Sequence, residues 1–448
     1  MAEDTYKQLN DVEIDSILLR SDQGGEVDIS KMCKHVSIFE DMFSTCTEGY
    51  ALIVDAMGLI NHLPIIGQET ISISFKTPGF GNNLLELSFE VYGIEGRTKS
   101  SNDKSEIYEM KFISKEFRES KIRRISRAYH GRISDIVADV FFNYFPNTEA
   151  TILKTRGEYK YTIPNWTPFD TLDWLSSRAI SDEGKGNANY VLFQKKGGYV
   201  FAPISSMSKI KPKYAYEVAP TAVDTKAGSS GNVLKQFFNI QEYSIPNQFN
   251  RLEELNDSMY SSNLLVHDIV NKNYSSSYRK YIESFADSDK CEEFPYLPIK
   301  NRYSSTPLAT SFVRTKHQGL HDDYPDTQNT EEWLLKRNAT MKEMDTTKIK
   351  ITVAGNSDLS VGDTLRLRFP VSEPVGRVDS DWSDKYSDGT YLITAIRHSI
   401  NLATEPKEYN CIIELSRDSI PERVPDRSTI LGTGRDTNNQ SNTNFLTG

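Results

Sequence analysis

Two separated stretches of this chain alternate apolar and polar residues with period two, and no other feature constrains its folding so strongly. In the first, Ile71, Ile73 and Phe75 fall on one side while Ser72, Ser74 and Lys76 fall on the other. Leu85, Leu87, Phe89 and Val91 oppose Glu86, Ser88, Glu90 and Tyr92, and Tyr108, Met110 and Phe112 oppose Glu109 and Lys111. Successive side chains of a strand point to opposite faces, so this spacing predicts strands with one buried face. Pro78 and the glycines at 79, 81, 93 and 96 mark turns between them. With Gly49–Ala56 (GYALIVDA) ahead of them, they form an antiparallel β-domain within residues 1–120. The second stretch occupies 346–419. There Ile349, Ile351 and Val353 oppose Lys348, Lys350 and Thr352, and Leu365, Leu367 and Phe369 oppose Thr364, Arg366 and Arg368. Two further strands, in SDGTYLITAIRHSI and EYNCIIELSRD, flank a turn at 401–407.

Between these stretches the period changes. Ile133, Ile136, Val137, Val140, Phe141 and Tyr144 lie on one helical stripe, and Pro146 stops it. A second helix follows, with Thr167 suited to the N-cap, Pro168 to the first turn and Asp170 to the reciprocal capping position. Phe169, Leu172, Leu175 and Ala179 give its buried stripe. YVLFQKKGGYVFAPI reads as a hairpin turning at Gly197-Gly198. Residues 121–206 therefore form a small α/β domain. Residues 207–345 mix strand-like and short helical signals. The polar 286–330 segment is expected to be a long loop or insertion, and EEWLLKRNATMKEM a helix. The tail, 420–448, is rich in Asn, Thr, Ser and Gly and is expected to be flexible. If the two β-domains are barrels of matching curvature lying side by side, three chains would close a ring of six similar units.

Net charge is −10, and it is uneven: residues 1–120 hold 21 acidic against 11 basic side chains, residues 121–210 hold 13 basic against 8 acidic. This argues against a nucleic-acid-binding module, which would be basic overall. No apolar run is long enough to span a membrane, so no stable membrane insertion is expected. The polar, acidic N-terminus lacks the order of a secretory signal, which implies synthesis in a cytoplasm.

Candidate chemistry is sparse. Cys33, Cys46, Cys291 and Cys411 are scattered, without zinc-ribbon spacing, and read as small buried apolar residues. Of the histidines at 35, 62, 130, 267, 317, 321 and 398, only His317 and His321, followed by Asp322 and Asp323, have ligand-like spacing. Their neighbours read as a solvated loop, so no metal site is assigned. No GxSxG elbow or GxxxxGK[ST] loop occurs, and TPGFGNN reads as a hairpin turn and not as a dinucleotide fingerprint. No catalytic residue, cofactor-binding residue or metal ligand is assigned, and the chain is not expected to be an enzyme. The basic run Lys121–Arg127 (KIRRISR) could contact phosphates. Lacking interleaved aromatic residues, it reads better as a strand whose basic face pairs with acidic neighbours.

Several segments, taken in order, resemble the central baseplate hub family of contractile-tailed phages. They are SEIYEMKFISKEFRESKIRRISRAYHGRISDIVADV, YTIPNWTPFDTLDWLSSRA, YVLFQKKGGYVFAPI, LLVHDIVNKNY, VAGNSDLSVGDTLRLRFP and DGTYLITAIRH. The resemblance runs over about residues 35–420, and the fold is similar to the hub part of type VI secretion spikes. It implies a mainly β fold with α+β inserts: two tube-type antiparallel β-barrel domains, a peripheral α/β domain, and a 207–345 region contributing to the second barrel and an outer domain. It also implies a homotrimeric pseudo-sixfold ring in the virion tail baseplate, adapting a hexameric tail tube to a trimeric central spike. Expected partners are further copies of the chain, the spike, tail tube or tube-initiator proteins and wedge proteins. DNA would pass through the lumen without specific binding. Glu86, Glu90 or Glu109 would repel that DNA if they faced the lumen; on the outer face or in salt bridges they would not. The alternatives are the hub of a type VI-like injection device, a cell-wall-binding or cell-wall-degrading tail protein, and a DNA-binding accessory factor.

Overall fold

The computed structural model describes residues 10–424 apart from 23, 63–64, 79–83, 100–104, 185, 219–235, 258, 298–309, 317–329 and 371–383. The His317/His321 pair and most of the expected tail, from 425 on, lie outside the described residues.

The first alternating stretch forms seven strands: β1 (Glu13–Arg20), β2 (Glu26–Asp28), β3 (Cys33–Asp41), β4 (Glu48–Asp55), β5 (Thr70–Lys76), β6 (Leu85–Lys99) and β7 (Glu106–Ile113). Their apolar sides are buried as the alternation requires, with Ile71, Ile73, Phe75, Val91, Met110 and Phe112 fully enclosed. Gly93 and Gly96 were expected in turns, but the structure places both inside β6. They sit at two register shifts of the β6–β7 ladder, between Val91 and Gly93 and between Glu95 and Thr98. Gly96 has φ +62°, a conformation a bulge requires and other residues resist. The glycines bend one long strand instead of ending it.

The α/β unit follows. Strands β8 (Ile125–Gly131) and β10 (Tyr159–Trp166) form one ribbon. A second, three-stranded sheet holds β9 (Ala150–Ile152), β11 (Tyr190–Lys195) and β12 (Gly198–Pro203). Helices Ile133–Tyr144 and Pro168–Ser176 pack on them, and Thr167 Oγ1 accepts the amide of Asp170 at 3.1 Å as an N-cap should. Phe141, Phe145, Phe169 and Tyr199 form its aromatic centre, with ring centroids 5.0–5.6 Å apart. Lys195 pairs with Gly198, so the hairpin turns at Lys196-Gly197, one residue earlier than expected. That shift matters because it puts Lys196 at the tip.

Region 207–345 supplies β13 (Tyr214–Glu217), β14 (Glu242–Asn247), β15 (Ser261–Asp268), β16 (Asn273–Lys280), β17 (Thr310–Lys316) and the helix Thr330–Asp345. Strand β17 lies inside the polar segment expected to be a loop. It is held by parallel backbone pairing with β15, a stabilisation that its own composition does not announce. The second alternating stretch forms β18 (Thr347–Ala354), β19 (Thr364–Arg368), β20 (Gly389–Asn401) and β21 (Glu408–Arg417).

The fold is mainly β, and the strands of both alternating stretches are hydrogen-bonded into one 13-stranded sheet. Its order is β14-β18-β21-β20-β3-β4-β7-β6-β5-β1-β2, with β19 beside β20 and β13 beside β19. The join is the antiparallel pairing of β20 with β3, from Ala395 opposite Asp41 to Asn401 opposite His35. One apolar core runs under both halves. Phe75 of the first half meets Tyr409 of the second edge-on at 5.6 Å. Among the described residues no helix is long and apolar enough to cross a membrane.

Candidate functional site at the seam between the halves

Along β3, Val36 and Ile38 face the core, and the next core-facing position is Glu40. Along β20 the core-facing positions include Ile396, His398 and Ile400. Two ionisable groups therefore occupy positions that alternation reserves for apolar residues, and the β3–β20 join brings them together. His398 Nε2 lies 3.6 Å from Glu40 Oε1, and both side chains are almost completely buried. Glu40 Oε2 also accepts from Ser360 Oγ at 2.6 Å and from the Val361 amide at 3.2 Å. On the other side of the imidazole, Nδ1 lies 2.7 Å from the Tyr409 hydroxyl and 3.6 Å from Cys411 Sγ, both on β21.

The α/β unit contributes the cation. Lys196, at the hairpin tip, donates from Nζ to the carbonyl of Ser357 at 2.9 Å and to that of Leu359. These carbonyls belong to the loop that carries Ser360. Burial pulls the Lys196 pKa down against the pull of Glu40. Burial would raise the Glu40 pKa, but His398 and Lys196 overcome it and hold the carboxyl at about 2. For His398, burial and Lys196 push downward while Cys411 and Glu40 push upward, and the upward side prevails. Glu40 and His398 keep charges this deep only because they face each other and are hydrogen-bonded, whereas Lys196 is half-buried and held by backbone carbonyls.

Cysteine, histidine and glutamate in a row resemble an activated nucleophile. Here all three are enclosed: Cys411 and His398 are 0% exposed and Glu40 3%. What the row touches is the seam itself.

The opposite face of the seam is open. Arg397 donates to Ser37 Oγ at 3.0 and 3.1 Å and to the Tyr50 hydroxyl at 2.8 Å. Its guanidinium lies over the Phe39 ring at 5.4 Å, and His35 Nε2 lies 3.0 Å from Ser399 Oγ. Beside them is a cleft of about 470 Å³ lined by Phe39, Asp41, Glu48, Lys350, Arg397 and Glu414, among others. Arg397→Ala is expected to cost about 2 kcal/mol, because it removes charge-assisted bonds across the join; urea unfolding checks this.

The other sequence candidates fall elsewhere. Glu86 is exposed on β6 opposite Ser74. Glu90 is buried against Arg118 at 2.6 Å. Glu109 lies on the open face, opposite Leu52 of β4. The basic run splits between the end of helix Lys115–Ile122 and the start of β8. Arg123 donates to the Tyr144 carbonyl at 2.7 Å, Arg127 reaches Asp139 at 3.4 Å, and Lys121 lies over Phe117. Cys33 and Cys411 are buried, Cys46 and Cys291 partly so, and all four are free thiols. Among the described residues no three His, Cys, Asp or Glu side chains are grouped as metal ligands.

The chain matches no protein-family model and no curated protein. Solved structures do match. A tail protein from Neisseria meningitidis MC58 superposes with TM-score 0.53 at 12% identity, covering 90% of this chain and 97% of its own. A 43 kDa tail protein of prophage MuSo2 from Shewanella oneidensis gives TM-score 0.51 at 10% identity, covering 91% and 100%. The chain shares the fold of these two proteins. At these identities the fold is what is shared, and in this chain that fold carries an ionic seam at the join of two half-sheets.

Proposed function

We propose that the chain is a structural hub subunit of a phage contractile tail. Three copies form a ring in the baseplate, join the hexameric tail tube to the trimeric central spike, and surround the channel through which DNA passes. One observation carries this reading: within the large sheet, each half supplies a run of four strands of the same design. The runs are β14-β18-β21-β20 and β3-β4-β7-β6. Each ends in an unusually long strand, β20 with 13 residues and β6 with 15. Each long strand gives its N-terminal part to a strand outside the run, β20 to β19 and β6 to β5. The C-terminal part of β20 pairs with β3, the first strand of the other run. By the same pattern the C-terminal part of β6, from Gly93 to Lys99, pairs with β14 of the next copy.

Strand directions support that closure. All seven pairings along the eight-stranded run are antiparallel, so its two end strands run in opposite directions. Rotation about an axis along the strands keeps direction, and β6 then meets β14 antiparallel. Closing the ring also pairs β14 with the free part of β6, both of which would otherwise template aggregation. Three copies of two runs give six similar units.

The open face carrying Arg397, Glu109 and Lys350 then lines the channel. Its charges are mixed and partly paired: Lys111 binds Glu95 at 2.6 Å, and Lys350 stands opposite Glu414. Such a wall holds DNA weakly. The reading rests on shape and strand chemistry, with no catalytic role for the chain. Its test is to mix the purified protein with the spike protein of the same tail and measure the complex. A complex of three hub and three spike chains is expected; failure to bind the spike would remove the hub assignment.

A further inference from the structure

We infer that Glu40, His398 and Lys196 form a proton-sensitive latch that fastens the two half-sheets together and ties the seam to the α/β unit. This goes beyond the ring reading and applies to a single chain.

The latch stands on geometry. Its three charged groups come from three separate parts of the molecule: β3 of the first half, β20 of the second, and the Lys196 hairpin of the α/β unit. The half-sheets cannot part without uncovering Glu40 and His398, and the hairpin cannot withdraw without taking the Lys196 ammonium from the loop that carries Ser360. If the hairpin withdraws, the carbonyls of Ser357 and Leu359 lose their ammonium, and Glu40 loses its nearby cation. If β3 separates from β20, Glu40 and His398 lose one another, together with the bonds from Ser360 and Val361. A displacement of the peripheral unit is thereby transmitted to the join.

Other titratable groups surround the latch, Asp358 among them, which lies near Lys196 and pairs with Lys213 at 3.1 Å. Tyr409 and Cys411 face His398 from β21, with Tyr216 beside them. Lys213 and Asp363, themselves paired at 3.2 Å, lie near Lys196. The Glu40 carboxyl is held at about 2 against an ordinary 4.5, so its contribution is present above 4.5 and is lost as pH falls towards 2. The imidazole of His398 is raised above its ordinary 6.5, so its contribution is complete below 6.5 and is lost as pH rises through the raised value. The latch is tightest between these limits.

Hydrogen exchange read by mass spectrometry tests this, with protection factors correcting for the intrinsic pH dependence. Peptides spanning Lys34–Asp41 and Ala395–Asn401 report the seam, and peptides from β1 and β5 report the sheet away from it. From about pH 6 to about pH 9 the seam peptides are expected to lose about tenfold in protection relative to β1 and β5. Because Cys411, as well as Glu40, raises the imidazole pKa, Glu40→Gln is expected to shrink that differential loss and Glu40→Gln combined with Cys411→Ala to abolish it. Lys196→Met is expected to lower seam protection at every pH while sparing β1 and β5, and it serves alone if Glu40→Gln does not fold. Equal change in seam and reference peptides would overturn the proposal, as would a Lys196→Met chain with wild-type seam protection.

Discussion

Lysine in place of Ile94, which is partly buried against the core, is expected to break the assembly into single chains that stay folded at a modest cost in stability. Ile94 lies in the part of β6 beyond β5 and stands opposite Met110 on the core-facing side. In the proposed ring it continues an apolar row towards Tyr243 of the next copy, which stands opposite Ile351 on β14 and is half exposed in the single chain. A charge on that row is a common device for keeping sheet edges apart. Dissociation should become at least about a hundredfold easier, the size of effect expected at a central interface position. Adding Tyr243→Glu should restore part of the assembly by placing opposite charges across the joint. The same substitution at the distant Tyr274 should restore none. Mass measured in solution, with circular dichroism as the check on folding, separates these outcomes.

The second large effect is internal. Gly49 on β4 stands opposite Ile38 and Phe112, and a side chain there would overlap both the Phe112 ring and the Ser37 carbonyl. Phe112 cannot yield easily, because it packs on Phe89 at 4.9 Å and is fully buried. Gly49→Val is therefore expected to cost about 3 kcal/mol or more through overpacking. Gly93→Ala is the control. It adds a side chain with nothing within 4 Å and should change stability by less than about 0.5 kcal/mol. Urea titration of both variants checks the difference; equal stability would show that β4 is not clamped as described.

Much of this fold was legible in the chain itself. Ile349, Ile351 and Val353 announced a strand with one buried face, and that side of β18 is buried. Thr167 and Pro168 announced a helix start, and Thr167 caps it. Such features are local: a residue's own neighbours determine them. Pairing between distant segments is not local. Strand β17 has only Phe312 and Val313 as apolar residues and exists because β15 lies beside it. Gly93 and Gly96 look like turn residues until β7 shows that the strand continues through them. The seam left a trace that could have been used, since Glu40 and His398 each interrupt an apolar row of an alternating strand. That each was the other's partner, and that Lys196 would dock on the neighbouring Ser357–Leu359 loop, depended on a strand order that alternation does not encode.

The ring is the central claim, and the mass of the purified protein in solution tests it most directly. The chain has a mass of 50.9 kDa. The account predicts a particle of three chains, alone or once the spike is added, and β6 amides between Gly93 and Lys99 that exchange more slowly in the particle than in the Ile94→Lys chain. A strict monomer of 50.9 kDa, both alone and with the spike, would contradict it.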